Sequence, residues 1–459
     1  LKQTIKDAKI DILERLPTPF GLVRSGVAPD HPEVKNVQNE FAALFEGKDA
    51  CRFWGNVTLG RDISLVELRR IYDAVVLAYG CESEKKLGIP GEETLQGVLS
   101  AREFVAWYNG HPDYGHIGDA VHKAIPKPEE AHVAVIGQGN VALDCARILA
   151  KGGPGLQHTD IASYALPILG EGVKSTTILG RRGHIQGAFT IKELRELTKL
   201  EADGHNASFV VRPEELDRGT TESSLKELEG PTARPRKRID KLLREVANQP
   251  LSCNVPKSVT LRFLLRPVSF EPNQADPAAL GSLVCEQTRL EGDPGEQMAV
   301  GTGLFEELPA KLALVSVGYK GVPVLGLEDG FFDAGTGTIS NRLGKVADST
   351  GELCGLYVSG WLKRGPSGII GTNIADAKDT VASIAKDCYG AETSCQRNES
   401  SLMLASLLEE RSVQFVDWEA YKRIDATETN FTRRRSEGQP REKLTTRREL
   451  LAAAGTIGD

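Results

Sequence analysis

His132-Val133-Ala134-Val135-Ile136-Gly137-Gln138-Gly139-Asn140-Val141-Ala142 is the stretch that decides the fold. Its first half is an apolar run of the kind buried in a parallel strand, and glycines follow at once. Val141–Leu149 then reads as a helix. A G-x-G-x-x-A loop between a strand and a helix is built to cradle a pyrophosphate. Gly137 permits the tight turn, Gly139 lets backbone approach the phosphates, and Ala142 lets helix and strand pack closely. Unpaired N–H groups and the helix dipole favour negative charge there.

Working outward, similar runs recur within Ile71–Tyr79, Thr176–Leu179, Leu312–Val317 and Gly355–Ser359, separated by helical stretches. Strand–helix alternation of this kind argues for an α/β fold with parallel sheet. The strand at Thr176–Leu179 runs into Gly180-Arg181-Arg182-Gly183. An NAD site would carry a carboxylate there for the ribose hydroxyl. Two guanidinium groups suit a 2′-phosphate instead, so Arg181 and Arg182 point to NADP.

Composition bounds the rest. At roughly 150 residues per domain, 459 residues suggest two or three domains. A net charge of −7 speaks against nucleic-acid binding by the molecule as a whole. None of the eight cysteines forms a C-x-x-C pair, so a redox disulfide, an iron–sulfur cluster and a structural zinc lack their usual spacing. No metal site is expected. No apolar run is long enough to span a bilayer. Leu1–Lys9 reads as helix-like, Pro112–Ala131 as a surface loop, Gly390–Ser400 as a linker, Ser401–Leu408 as a short helix, and the tail after Thr427 as charged and irregular. Arg234–Ala247 reads as a basic exposed helix.

A nicotinamide cofactor needs an acceptor, and a second glycine-rich turn lies near the C-terminus. The strand end Tyr357-Val358-Ser359-Gly360-Trp361 is followed by Gly365–Asn373, which opens a helix at Ile374–Ala385. Such a helix N-terminus can approach a flat ring and stabilise the charge of a reduced flavin, and Trp361 can stack on it. A plain glycine-rich turn is the alternative. At the front, Ile10–Leu13 reads as a strand ending in Glu14, the place where a dinucleotide domain holds its adenosine ribose. The strand and G-x-G-x-x-G loop that belong about 20 residues earlier would precede Leu1. The chain thus reads as entered partway through a fold. Truncation is preferred over a genuine loss of flavin binding, and the 459-residue chain is expected to retain FAD weakly. Stoichiometric flavin absorbance would sink that expectation.

Leu16-Pro17-Thr18-Pro19-Phe20-Gly21-Leu22-Val23-Arg24-Ser25-Gly26-Val27-Ala28-Pro29-Asp30-His31-Pro32-Glu33-Val34-Lys35 closely resembles the adrenodoxin reductase family, including bacterial and fungal ferredoxin–NADP reductases of that type. The resemblance continues through Phe53–Val57, Trp107–Gly110, Gly137–Asp144, Gly180–Gly183, Ala188–Glu196, Ala233–Arg238, Gly360–Asn373 and Pro440–Leu444. It implies two Rossmann-like dinucleotide-binding domains, the NADP domain inserted into the FAD domain. Residues 1–98 and 319–459 would form the FAD domain and 99–318 the NADP domain. It further implies that Glu14, Leu22, Leu59, Trp361, Gly368, Ile369 and Ile370 contact FAD. Gln138, Gly139, Asn140, Val141, Arg181, Arg182, Glu193 and Gly368 would contact NADP. NADPH would pass a hydride to the flavin, which would release single electrons to a [2Fe–2S] ferredoxin or adrenodoxin serving P450, iron–sulfur or heme pathways.

His31, Asp144 and Glu193 resemble polar residues that the family places near the reacting rings, to orient them or move protons; second-shell hydrogen bonding is the alternative. Arg234, Arg236, Lys237 and Arg238 would dock the acidic ferredoxin. A monomer is expected, at most peripherally associated with a membrane. The compartment would be the mitochondrial matrix, at the inner membrane, in a eukaryote and the cytoplasm in a bacterium. Two other readings compete: a catalytically inactive NADP-binding protein, and a different two-dinucleotide flavoenzyme such as a disulfide reductase or monooxygenase. The lack of C-x-x-C argues against the disulfide version.

Overall fold

The computed structural model describes residues 1–5, 8–47, 51–230, 233–250, 255–327, 329–347, 351–368, 371–389 and 402–456. Its centre is a six-stranded sheet in the order Val98–Ser100, Leu312–Val315, His132–Ile136, Ser175–Leu179, Lys257–Arg262, Ala207–Val211. Every pairing in it is parallel. Alternation along His132–Ile136 explains how it is covered. Val133 and Val135 face a helical core with Leu143, Ile148 and Phe104. Ala134 and Ile136 face the other way, onto Leu265, Phe270 and Leu283. Those last three belong to an antiparallel sheet of Leu265–Pro272, Leu280–Glu291 and Met298–Pro309 that closes the second face. A strand buried on both faces needs apolar residues at every position, as this one has.

A second sheet joins distant parts of the chain. Val75–Leu77 pairs in parallel with Glu352–Val358, and the hairpin of Asn341–Arg342 and Lys345–Ala347 extends it. Leu65–Ile71 leads into this sheet, its start set by a capping box between Ser64 and Glu67. Asp11–Glu14 pairs in parallel with Arg52–Gly55.

Three expectations need correction. Leu1–Lys9 contains no helix among its described residues. Pro112–Ala131 is not merely a surface loop: it holds the helix Ile117–Ala124, because Ile117, Val121 and Ile125, four residues apart, form one buried stripe. The charged tail after Thr427 is irregular from 430 to 446 apart from the short turn Phe431–Arg433, but it ends in the helix Arg447–Ala454. That helix starts at a Thr446/Glu449 capping box and buries Leu450 and Ala454. The short helix expected at Ser401–Leu408 is found at Leu402–Glu410. The linker expected at Gly390–Ser400 lies outside the described residues. Among these residues, no helix is long and apolar enough to cross a membrane.

Candidate active site

The glycine turn after His132–Ile136 is held by its neighbours. Gly137 donates its N–H to Leu179 O at 2.8 Å. Its φ is +142°, and a Cβ there would lie 2.2 Å from Ser316 O. Gly139 is different, since a Cβ there would meet nothing within 4 Å. The two glycines thus do separate jobs: Gly137 lets the strands close, and Gly139 keeps open space at the start of Asn140–Lys151. Gln138 turns inward, its amide donating to Arg262 O at 3.0 Å, and Asn140 Oδ1 accepts Thr190 N–H at 2.8 Å. Val141 packs against the helical core. The Asn140 bond ties the turn to the start of Ile191–Leu197. Arg181 and Arg182 are exposed, and neither guanidinium has a hydrogen-bond or ion-pair partner among the described residues.

The three residues expected near the chemistry converge, around a fourth that sequence reasoning missed. Arg147 is fully buried. Its guanidinium grips Asp30 through two bonds, at 2.8 and 2.9 Å. It also lies 3.4 Å from Glu193 and 3.2 Å from Glu196. Asp144 Oδ1 is 2.8 Å from Arg147 Nη2 but is not aligned for a hydrogen bond. His31 Nε2 bonds Glu196 at 2.5 Å and is 3.6 Å from Glu193. His31, Glu193 and Glu196 stand close enough to share a cation. Arg147 already supplies positive charge to both carboxylates.

The ionisation of these groups follows from their surroundings. Burial would lower the pKa of His31, but the Glu196 bond and the charges of Asp30 and Asp144 outweigh it, so the imidazole is raised above 6.5. Burial raises Asp144. Burial works against the Asp30 carboxylate, yet Arg147 and Lys151 hold it far below the usual range. Glu193 is pushed up to about 7 by burial and by Asp144. Between 4.5 and about 7 folded Glu193 keeps a proton that the unfolded chain has released, so its contribution to stability is lost as pH rises through that window. Urea midpoints of the parent and Glu193→Gln are therefore expected to diverge between about pH 5 and pH 8, the variant changing less. Parallel curves would show that Glu193 titrates normally.

The C-terminal turn is brought to the same place. Leu312–Val315 runs beside the Gly137 turn, and Tyr319 follows it. The Tyr319 ring lies 5.2 Å from the Trp361 ring. Burial raises the Tyr319 phenol, and Cys145 and Asp144 act on it electrostatically. Tyr319 thus ties the Trp361 turn to the strand end that lies beside the Gly137 turn. Behind Trp361, Gly360 N–H and Ser359 Oγ donate to the buried Asp376 carboxylate at 2.5 and 3.0 Å, which fixes the turn. Gly368 has φ +83°, with Thr372 against it. Ile369 and Ile370 lie outside the described residues. Glu14 is at the end of its strand, its pKa raised by burial, and accepts Leu16 N–H at 3.0 Å. Leu59 packs on the core beside Trp54 and Val57, whereas Leu22 is exposed. Arg234, Arg236, Lys237 and Arg238 are exposed on Arg234–Ala247, and among the described residues only Arg236 of these has an ion-pair partner, Glu227 at 3.1 Å. His184, one residue past the Arg181–Gly183 turn, bonds Asp240 of that helix at 2.8 Å and so seats the basic helix beside the two free arginines.

No protein-family model matches the chain. It is 44% identical over 458 residues to the mitochondrial NADPH:adrenodoxin oxidoreductase of Arabidopsis thaliana, covering 97% of this chain and 90% of the other. It is 40% identical over 456 residues to the human protein of the same name, covering 98% and 87%. The NADPH-ferredoxin reductase FprA of Mycobacterium tuberculosis is 40% identical over 453 residues, covering 97% and 92%. Among solved structures, a histidine-to-glutamine mutant of FprA superposes with a TM-score of 0.86 at 37% identity, covering 99% and 95% of the two chains. FprA in complex with NADPH gives 0.84 at 38%, covering 97% and 92%. With identity sustained over nearly the whole length of both partners and the backbone following the same course, the chain belongs to the family of NADPH:adrenodoxin oxidoreductases and FprA-type NADPH-ferredoxin reductases.

Proposed function

We propose that this oxidoreductase holds FAD and NADPH in one cleft and passes electrons from NADPH to a [2Fe–2S] ferredoxin or adrenodoxin. The observation that carries the reading is that Tyr319, in ring contact with Trp361, follows the strand Leu312–Val315, whose end at Ser316 lies against the Gly137 turn. Residues 99–318 would form the NADP domain, inserted between the two parts of an FAD domain at 1–98 and 319–459. The pairing of Val75–Leu77 with Glu352–Val358 supports that division.

The residues suit these cofactors. Open space over Gly139 leaves room for a pyrophosphate at the N–H groups of Asn140–Lys151. Arg181 and Arg182, exposed and unpaired, suit a 2′-phosphate. Glu14, a half-buried acid that accepts Leu16 N–H, suits a ribose hydroxyl, and Trp361 offers a flat apolar face beside the Gly368 turn. Flavin supplies the conversion from a two-electron donor to a one-electron acceptor. The chain's own part is to bind, orient and hold protons. Glu193, about half protonated at pH 7, would face the nicotinamide with less negative charge than an ordinary carboxylate. His31, whose pKa the Glu196 bond raises, and Asp144 would orient the rings.

Arg234, Arg236, Lys237 and Arg238 would receive the acidic ferredoxin, and the His184–Asp240 bond seats their helix beside the turn that carries Arg181 and Arg182. The compartment would be mitochondrial for a eukaryotic source, as in the names of the Arabidopsis and human relatives, and cytoplasmic for a bacterial one. The test is NADPH-driven reduction of a [2Fe–2S] ferredoxin by the FAD-loaded chain, read through cytochrome c. Reversing Arg234 and Lys237 to glutamate is expected to raise the KM for ferredoxin about tenfold at low salt while ferricyanide reduction is unchanged. Turnover with ferricyanide but none with ferredoxin would reject the acceptor assignment.

A further inference from the structure

Beside that site, and sharing with it the Pro29–Pro32 turn that carries Asp30 and His31, three remote segments of the chain close on a cleft of about 150 Å³. The N-terminal segment brings Arg24 and Lys35, the central part brings Asp160, and the tail brings Arg441 and Lys443. The four cationic side chains retain at most 19% of their exposure: Arg24 8%, Lys35 11%, Arg441 19% and Lys443 1%. They share their partners. Arg24 and Arg441 both bind Glu428, and Lys35 and Lys443 both bind Asp160. Arg441 also reaches Asp425, whose side chain is 38% exposed. Among the described residues, four cations therefore face three ion-pair carboxylates, and both oxygens of Asp160 are already engaged by Lys35, at 2.6 and 2.7 Å.

Buried charge needs a counter-charge, because the interior solvates an ion far less well than water does. Lys443 shows the strain of the surplus. Its Nζ has Asp160 at 3.1 Å and the carbonyls of Asn109 and Arg24 at 3.0 and 3.2 Å, yet burial together with Lys35 and Arg24 holds it down to about 7. Lys35 is lowered as well, by burial and then by Arg24 and Arg441. The surplus repels a metal ion. The cleft's size excludes a peptide or a nucleotide.

We propose that this cleft is a binding site for a single phosphate-class oxyanion, held by Lys35, Lys443, Arg441 and Arg24, with Asn39 at its rim. Such an anion completes the charge balance and ties the N-terminal segment, the central part and the tail to one another. The site is independent of the nucleotide reading, since it shares no residue with the Gly137 loop or with Arg181 and Arg182.

The test is calorimetric titration of the holoprotein with inorganic phosphate against chloride at constant ionic strength. One saturable equivalent is expected. It should persist in an Arg181→Gln/Arg182→Gln variant, which separates this site from the two exposed arginines. Lys35→Gln should weaken it about tenfold or more, as loss of a charge-assisted bond does. Asn39→Asp, on an exposed side chain that leaves the buried pairs intact, should weaken it too, so the proposal stays testable if the Lys35 variant does not fold. Sulfate, which does not titrate near neutrality, should bind with uptake of a proton by Lys443, seen as a heat that depends on the buffer. Absence of saturable binding overturns the proposal. So does binding that both cleft variants leave unchanged, or binding that disappears with Arg181 and Arg182.

Discussion

Replacing Arg147 with methionine is expected to destabilise the folded chain by about 3–5 kcal/mol at pH 8, because it leaves a buried carboxylate cluster without its central cation. Arg147 is in contact with Asp30, Asp144, Glu193 and Glu196 at once. Lys151 and His31 alone would then face four carboxylates. The carboxylates would answer by taking up protons, so the penalty should shrink as pH falls toward 5. Urea unfolding at the two pH values measures both quantities. Arg147→Lys should recover only part of the loss, since an ammonium cannot make the two-point grip on Asp30. The same cluster sets His31, so NADPH-driven ferricyanide reduction by folded Arg147→Met should fall more than about tenfold, the size of one charged hydrogen bond lost in the transition state. A methionine variant as stable as its parent at pH 8 would show that the cluster is not held by Arg147.

The second large effect separates the two glycines of one loop. Gly137→Ala puts a methyl 2.2 Å from Ser316 O at a φ of +142°. Relief requires moving the end of Leu312–Val315 or breaking the Gly137–Leu179 bond, and strain of this kind costs about 3 kcal/mol or more. Moving that strand end would also move Tyr319 away from Trp361. Gly139→Ala meets no atom within 4 Å and has φ −113°, so its stability cost should stay below about 1 kcal/mol. Its expected damage is to affinity: the methyl would occupy the space a pyrophosphate needs. Thermal unfolding and titration with NADP+ of both variants distinguish the cases. Equal loss of stability in the two, or full NADP+ affinity in Gly139→Ala, would refute the division of labour.

Much of this arrangement was legible in the residues. His132–Ile136 shows as a strand through its apolar run Val133–Ile136, Ser175–Leu179 through β-branched residues that end in Ile178 and Leu179, and the helix after Gly139 through its spacing. Arg234–Ala247 was read as basic and exposed because its apolar residues are few, and only Ile239 and Leu243 are buried in it. Other elements went unread for identifiable reasons. Ala207–Val211 is a short edge strand inside a charged region, and its three-residue apolar run Phe209-Val210-Val211 is too brief to stand out from those charged flanks. Ile117–Ala124 was obscured by the histidines and prolines around it, although its four-residue stripe was present.

The site divides the same way. Glu196 follows Glu193 by one helical turn, as Arg147 follows Asp144, so each pair shares a face that periodicity alone could have marked. Nothing local marks Tyr319, a half-buried residue after a strand, as the contact of Trp361.

The sequence by itself determined the parallel α/β class, and it carried the expectation of a phosphate loop at Gly137–Ala142 and of a 2′-phosphate at Arg181 and Arg182. These depend on neighbours a few residues apart, whose spacing is written into the chain. Tertiary structure alone decided that Asp30, His31, Asp144, Arg147, Glu193 and Glu196 form one ion cluster, and that Glu428 and Asp160 each bind cations from both ends of the chain. Coulomb energy and desolvation depend on distance in space and on burial, and both are set only when segments hundreds of residues apart have packed.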